Sequence, residues 1–189
     1  MNTRRSLATV AILVASLTLS ACTMMGPWAW PGGSTSSDQF TDTNNADLAF
    51  TMMMIPHHEQ AVEMADLVLA KEGVDARVVD LAVQIKAAQG PEIELMQGWL
   101  DTWGVGTMSG MDHGGMMSEV DMAALESATG NEASRLFLTQ MIVHHDGAIV
   151  MAQNELANGI NPDVRALCVR IIESQTAEIV TMKQILETL

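Results

Sequence analysis

The feature that most constrains this chain is that it says the same thing twice. "MIPHHEQAVEMA", Met54 to Ala65, returns as "MIVHHDGAIVMA", Met141 to Ala152, at an offset of 87 residues. After one deletion the match resumes at an offset of 86. There Leu81, Val83, Ile85, Gln89, Glu92, Ile93, Met96 and Leu100 correspond to Leu167, Val169, Ile171, Gln175, Glu178, Ile179, Met182 and Leu186. A duplication of this length asks for two copies of one unit that bury the same face against each other.

The unit is a helical hairpin. "AVEMADLVLAKEG" carries apolar residues at helical spacing and stops at Gly73, and "VVDLAVQIKAAQ" and "VRALCVRIIESQ" show the same period. Gly73 and Gly159 are placed to end one helix, and Asp75 and Asn161 to start the next. Strand signals are weak, with no Tyr and no alternating run. Two such hairpins bury their apolar faces most simply as an all-α four-helix bundle. The expected helices are 45–72, 75–102, 132–158 and 162–189, within a body spanning 41–189 that includes a connector at 104–119. Pro56 and Gly90-Pro91 fall inside the first two and are expected to kink them.

Residues 1–21 read as a signal peptide: Arg4 and Arg5, an apolar run from Leu7 to Leu19, then "LSAC" ending at Cys22. A small-residue cleavage site closed by Cys looks like a bacterial lipobox, which makes Cys22 the expected lipidation site. Residues 22–40 then form a Pro-, Gly- and Ser-rich linker. This points to a membrane-anchored lipoprotein outside the cytoplasm, periplasmic or at the cell surface. Cys168 is the one cysteine left after Cys22, so no disulfide is expected within the mature chain.

The whole chain has a formal charge of −14, with 9 basic and 23 acidic residues. That balance argues against nucleic acid as a partner and favours cations. The candidate cation site follows from the repeat. The chain has 5 histidines, and the two copies hold His57, His58, His144 and His145. Taking each hairpin turn as a mirror point places Gln89 and Glu92 beside His57, and Gln175 and Glu178 level with His144. Met54 and Met141 share the helix face of the first His in each pair, while Met96 and Met182 follow on the partner helices. Imidazole with thioether suits copper, Cu(I) above all, because soft sulfur prefers a soft ion. The glutamates would orient the rings or bind directly. The fifth histidine, His113, lies in "TMSGMDHGGMM" with Met108, Met111, Met116 and Met117, in a stretch too rich in Gly and Ser for its methionines to be core filler.

With these residues in view, the two segments resemble the paired HH-x-x-A-x-x-M-A segments of the domain-of-unknown-function family 305. The resemblance covers about Asp38 to Leu189. It implies a ferritin-like helical fold, a secreted or membrane-anchored protein, and copper binding or copper tolerance. It also implies that His57, His58, His144 and His145, with Met54, Met64, Met141 and Met151, occupy the family's motif positions. Where the family often has HHQGA, this chain has HHEQA and HHDGA, so Glu59 and Asp146 add charge beside the pairs.

The leading expectation is an extracytoplasmic copper-binding lipoprotein that sequesters or delivers copper. Its candidate partners are a copper donor or acceptor protein, the membrane through the lipid, and a second copy of the chain. No nucleophile–base pair points to an enzyme. One alternative is a ferritin-like di-metal iron or zinc protein with redox activity. Such sites use Glu-x-x-His, and here Met54, Ile55, Met141 and Ile142 stand three residues before the histidines. The other alternative is an acidic interaction module without metal.

Overall fold

The structure, a computed structural model, describes residues 42–106 and 114–189. The signal peptide, Cys22, and the connector residues Met108, Met111 and His113 lie outside the described residues. Four long helices carry the body: α1 (Asn45–Leu69), α2 (Ala76–Trp103), α4 (Gly130–Asn158) and α5 (Pro162–Leu186). A short helix, α3 (Glu119–Ser127), precedes α4. It falls between the end of the expected connector at 104–119 and the expected start of the next helix at 132, where no element was expected. Its start was written in the sequence: Ser118 and Asp121 form a capping box, each side chain bonded to the other's backbone N–H.

The other starts follow the expected chemistry. Asn44 and Asp47 box the start of α1, Asp75 caps α2, and Asn161 caps α5 with Pro162 in its first turn. Gly73 turns the first hairpin with φ of 74°, and Gly104 ends α2 with φ of 67°. Gly159 differs: its φ is −75°, and a Cβ there would meet the carboxyl of Glu155 as it now lies. Helix α1 runs without a break through Pro56, and α2 through Gly90-Pro91.

The pairs α1–α2 and α4–α5 form the two hairpins, and they meet along α1 and α4, with α3 laid against both. Helices α1 and α4 run antiparallel, since the end of α4 folds back onto the start of α1. There Asp47 accepts hydrogen bonds from Ile160 N (3.1 Å) and Asn161 N (2.8 Å). The first hairpin does the same job with a hydroxyl: Asp75 N donates to Ser134 Oγ at 3.0 Å.

The core is divided. One apolar cluster holds Met64, Val68, Leu81, Ile85, Phe137, Leu138, Met141 and Met182. The other holds Phe50, Met54, Met96, Leu100, Leu167, Cys168 and Ile171. Between them, at mid-height on all four long helices, lie His57, His58, Gln89, His144, His145 and Gln175, all buried. A polar layer across the middle of an apolar core is what positions the site.

Candidate metal centre

The layer is built from the repeat. His57 and His58 are neighbours on α1, about 100° apart around the helix, so they face different helices. His57 faces α4 and meets its counterpart: the His57 and His144 rings lie 3.7 Å apart between centroids, tilted by 37°. His58 faces α2, where its Nε2 bonds Glu92 Oε2 at 2.9 Å. Its counterpart His145 bonds Glu178 Oε2 through Nε2 at 2.6 Å. The glutamates therefore serve the second histidine of each pair. This corrects the mirror construction, which had put Glu92 beside His57. The first histidine is turned into the seam between hairpins, leaving the second to face its own hairpin partner.

A buried polar atom without a partner costs about 1–3 kcal/mol. Here the layer holds several. Neither ring nitrogen of His144 makes a hydrogen bond of normal geometry, and the Nδ1 atoms of His58 and His145 have no partner. Gln89 leaves both amide atoms unpaired, and Gln175 its oxygen. Burial, and then the neighbouring rings of His57, His145 and His58, hold His144 well below the ordinary histidine value of 6.5, so its ring is neutral. A neutral ring keeps a lone pair, the form in which imidazole ligates. Where Nε2–H of His58 and His145 donates to a carboxylate, Nδ1 keeps its lone pair inside the core. That is the arrangement in which an outer carboxylate orients a ligating histidine.

The methionines divide. Met54 and Met141 are fully buried one turn from His57 and His144. Met96 and Met182 are equally buried, on α2 and α5. Met64 and Met151 stand seven residues from His57 and His144, roughly 10 Å along the helix, so distance along the helix, and not membership of the apolar clusters, sets them apart. Met116 and Met117 are half-buried where the connector returns to the bundle. Among the described residues no three His, Cys, Asp or Glu side chains converge to hold an ion by themselves. An ion held in this layer would take its further ligands from neighbouring thioethers or glutamine amides. Thioether and imidazole are donors that suit a soft ion better than a hard one.

Two features were missed from sequence. Glu155, aligned with Val68, lies buried beside Asp47, and Cys168, aligned with Ala82, lies near both. Gln60 and Gly147 occupy matching places in the two copies and touch the connector. In both cases the available signal was a mismatch between the repeats.

Comparison with known proteins bears on this arrangement. Among solved structures, a DUF305 fragment from Deinococcus radiodurans is similar at 30% identity and a TM-score of 0.73, covering 78% of this chain and 99% of its own. A putative secreted DUF305 protein from Streptomyces coelicolor matches at 32% identity and a TM-score of 0.72, covering 76% and 93%. CopM in its Cu(II)-bound form matches at 36% identity and a TM-score of 0.66, covering 75% and 96%. CopM also matches in Cu(I)-bound and Ag-bound forms. No curated protein matches. The sequence pattern of the domain of unknown function DUF305 spans residues 47–186, so the chain belongs to the DUF305 family.

Proposed function

We propose that this protein binds copper outside the cytoplasm, as Cu(I), and holds or passes it on. The buried polar layer carries the reading: four histidines and two glutamines from both hairpins meet in an apolar core, with the Nδ1 atoms of His58 and His145 left without partners. The likeness to CopM, solved with Cu(I), Cu(II) and Ag, supports it. In this reading His57, His58, His144 and His145, with Met54 and Met141, form the core donor set, while Glu92 and Glu178 orient the outer histidines. Met96 and Met182 line the apolar clusters on either side. Met108, Met111, His113, Met116 and Met117 form a second donor set that collects the ion. Lipidation at Cys22 after removal of residues 1–21 would tether the bundle to a membrane. A copper donor or acceptor protein then meets it there.

Anaerobic titration of the protein with Cu(I) against a competing chelator tests this. We expect tight binding that a His57→Ala/His144→Ala variant loses by at least about tenfold, as expected for losing buried ligands, with its helical content retained. Equal binding by the variant, or none by the parent, would overturn it. The His58–Glu92 and His145–Glu178 pairs favour one second reading, a His/Glu site for zinc or iron. Parallel titrations with Zn(II) and Fe(II) separate the two.

A further inference from the structure

At one pair of matched positions where the two copies differ, both members touch the same piece of chain. Gln60 on α1 and Gly147 on α4 are equivalent by the 87-residue offset. The Gln60 amide makes two bonds to the backbone of Met117: Nε2 donates to its carbonyl at 2.9 Å, and its N–H donates to Oε1 at 2.7 Å. A Cβ on Gly147 would lie 2.6 Å from Gly114 O and 2.7 Å from Gly115 Cα, so backbone rests directly on backbone there. Gly115 adopts φ of 95° and would itself clash, through a Cβ, with Gly147 Cα.

The two anchors straddle the buried rings. Each lies three residues past its histidine, roughly 4.5 Å along its helix. Because α1 and α4 are antiparallel, those displacements point in opposite directions. The chain from Gly115 to Met117 therefore crosses the seam at the level of the His57–His144 stack, with Met116 midway. A cleft of about 430 Å³ opens beside Gln60 and Met117, and one of about 470 Å³ beside Gly114, Gly115 and Gly147. The crossing segment forms a wall of each. Both rings of the stack are fully buried beneath.

We propose that Gly114–Met117 is a strap over the α1–α4 seam, and that Gln60 and Gly147 are positioning residues that seat it and thereby set the rate at which a soft monovalent cation enters and leaves the histidine layer. Neither residue ligates the ion. This rests on the metal-binding reading above, and it assigns a role to a matched pair at which the copies differ, Gln against Gly. It also predicts a split that simple ligands would not show: loosening the strap changes rates in both directions and leaves affinity nearly in place.

The test uses Ag(I), which is redox-inert, in stopped-flow loading and chelator-driven release from the full chain. Gly147→Ala and Gln60→Ala are compared with the parent, with methionine-methyl NMR reporting release of Met116 and Met117. We expect both variants to load and release Ag(I) at least about tenfold faster, as for a gated site, with affinity within about threefold and Tm unchanged. Parent-like rates, with the methyl signals either shifted or unmoved, would overturn the strap. So would an affinity loss that accounts for the faster release. If the parent binds no Ag(I) or Cu(I), the metal reading itself fails and the strap is rejected with it. The Cu(I) titration, which uses neither variant, shows which of the two has failed.

Discussion

Glu155 shows how much one substitution between repeats can change. Val68 stands in its place in the first copy, and there Asp75 N in the hairpin turn donates to the Ser134 hydroxyl. In the second copy, burial and then the hydrogen bond and charge of Asp47 raise Glu155 from its ordinary 4.5 to about 8. Burial also pushes on Asp47, but hydrogen bonds from Asn44, Glu155, Asn161 and Ile160 outweigh it and hold that carboxyl low. At neutral pH Asp47 is therefore the ionised acid of the pair and Glu155 the protonated one. Burial, and then the charge of Glu155, push the Cys168 thiol up to about 12, so it stays protonated and inert. A carboxyl with a raised folded value contributes stability below its unfolded value and loses it as pH climbs through the folded one. Between pH 7 and 8, above the range where unfolded histidine titrates, Tm should fall by roughly 2–4 °C. Glu155→Gln should flatten that slope in a thermal-melt series. An unchanged slope in the variant would show that another group is responsible.

At the scale of elements, the four long helices were legible because period, glycine stops and Asp or Asn starts agree with one another. Their ends moved by a few residues: α1 stops at Leu69, α4 begins at Gly130, and α5 stops at Leu186. Helix α3 was missed although its capping box is plain in "SEVD". Nine residues of which only Leu125 is counted as buried do not make a helix alone; docking against α1 and α4 does. The choice of histidine bonded by each glutamate also escaped the sequence, since it turns on rotation about α1 and α4. Periodicity fixes a face only to within a residue or so. Because α3 depends on its start, Ser118→Ala should cost about 1 kcal/mol locally. Amide exchange should quicken across Glu119–Ser127 and leave the middle of α1 and α4 untouched. Faster exchange throughout would mean that α3 supports the whole bundle.

For the molecule as a whole, the divided core sets a conflict that a bound ion would resolve. Two apolar clusters favour collapse, while the layer between them retains unpaired nitrogens and amides. An ion that engages the layer in the native state alone raises stability by mass action, by about 2.7 kcal/mol at a hundredfold excess over Kd. Excess Ag(I) should accordingly raise Tm in the parent and not in His57→Ala/His144→Ala; an equal rise in both would move the ion elsewhere. The stacked rings also impose an order in time. His57 and His144 come from opposite halves of the chain, 87 residues apart, yet they touch. A nascent chain that has released only its first hairpin holds one ring and no partner for it. The layer is therefore among the last parts of the molecule to exist, and a chain cut short or stalled before α4 has nowhere in its core to hold an ion.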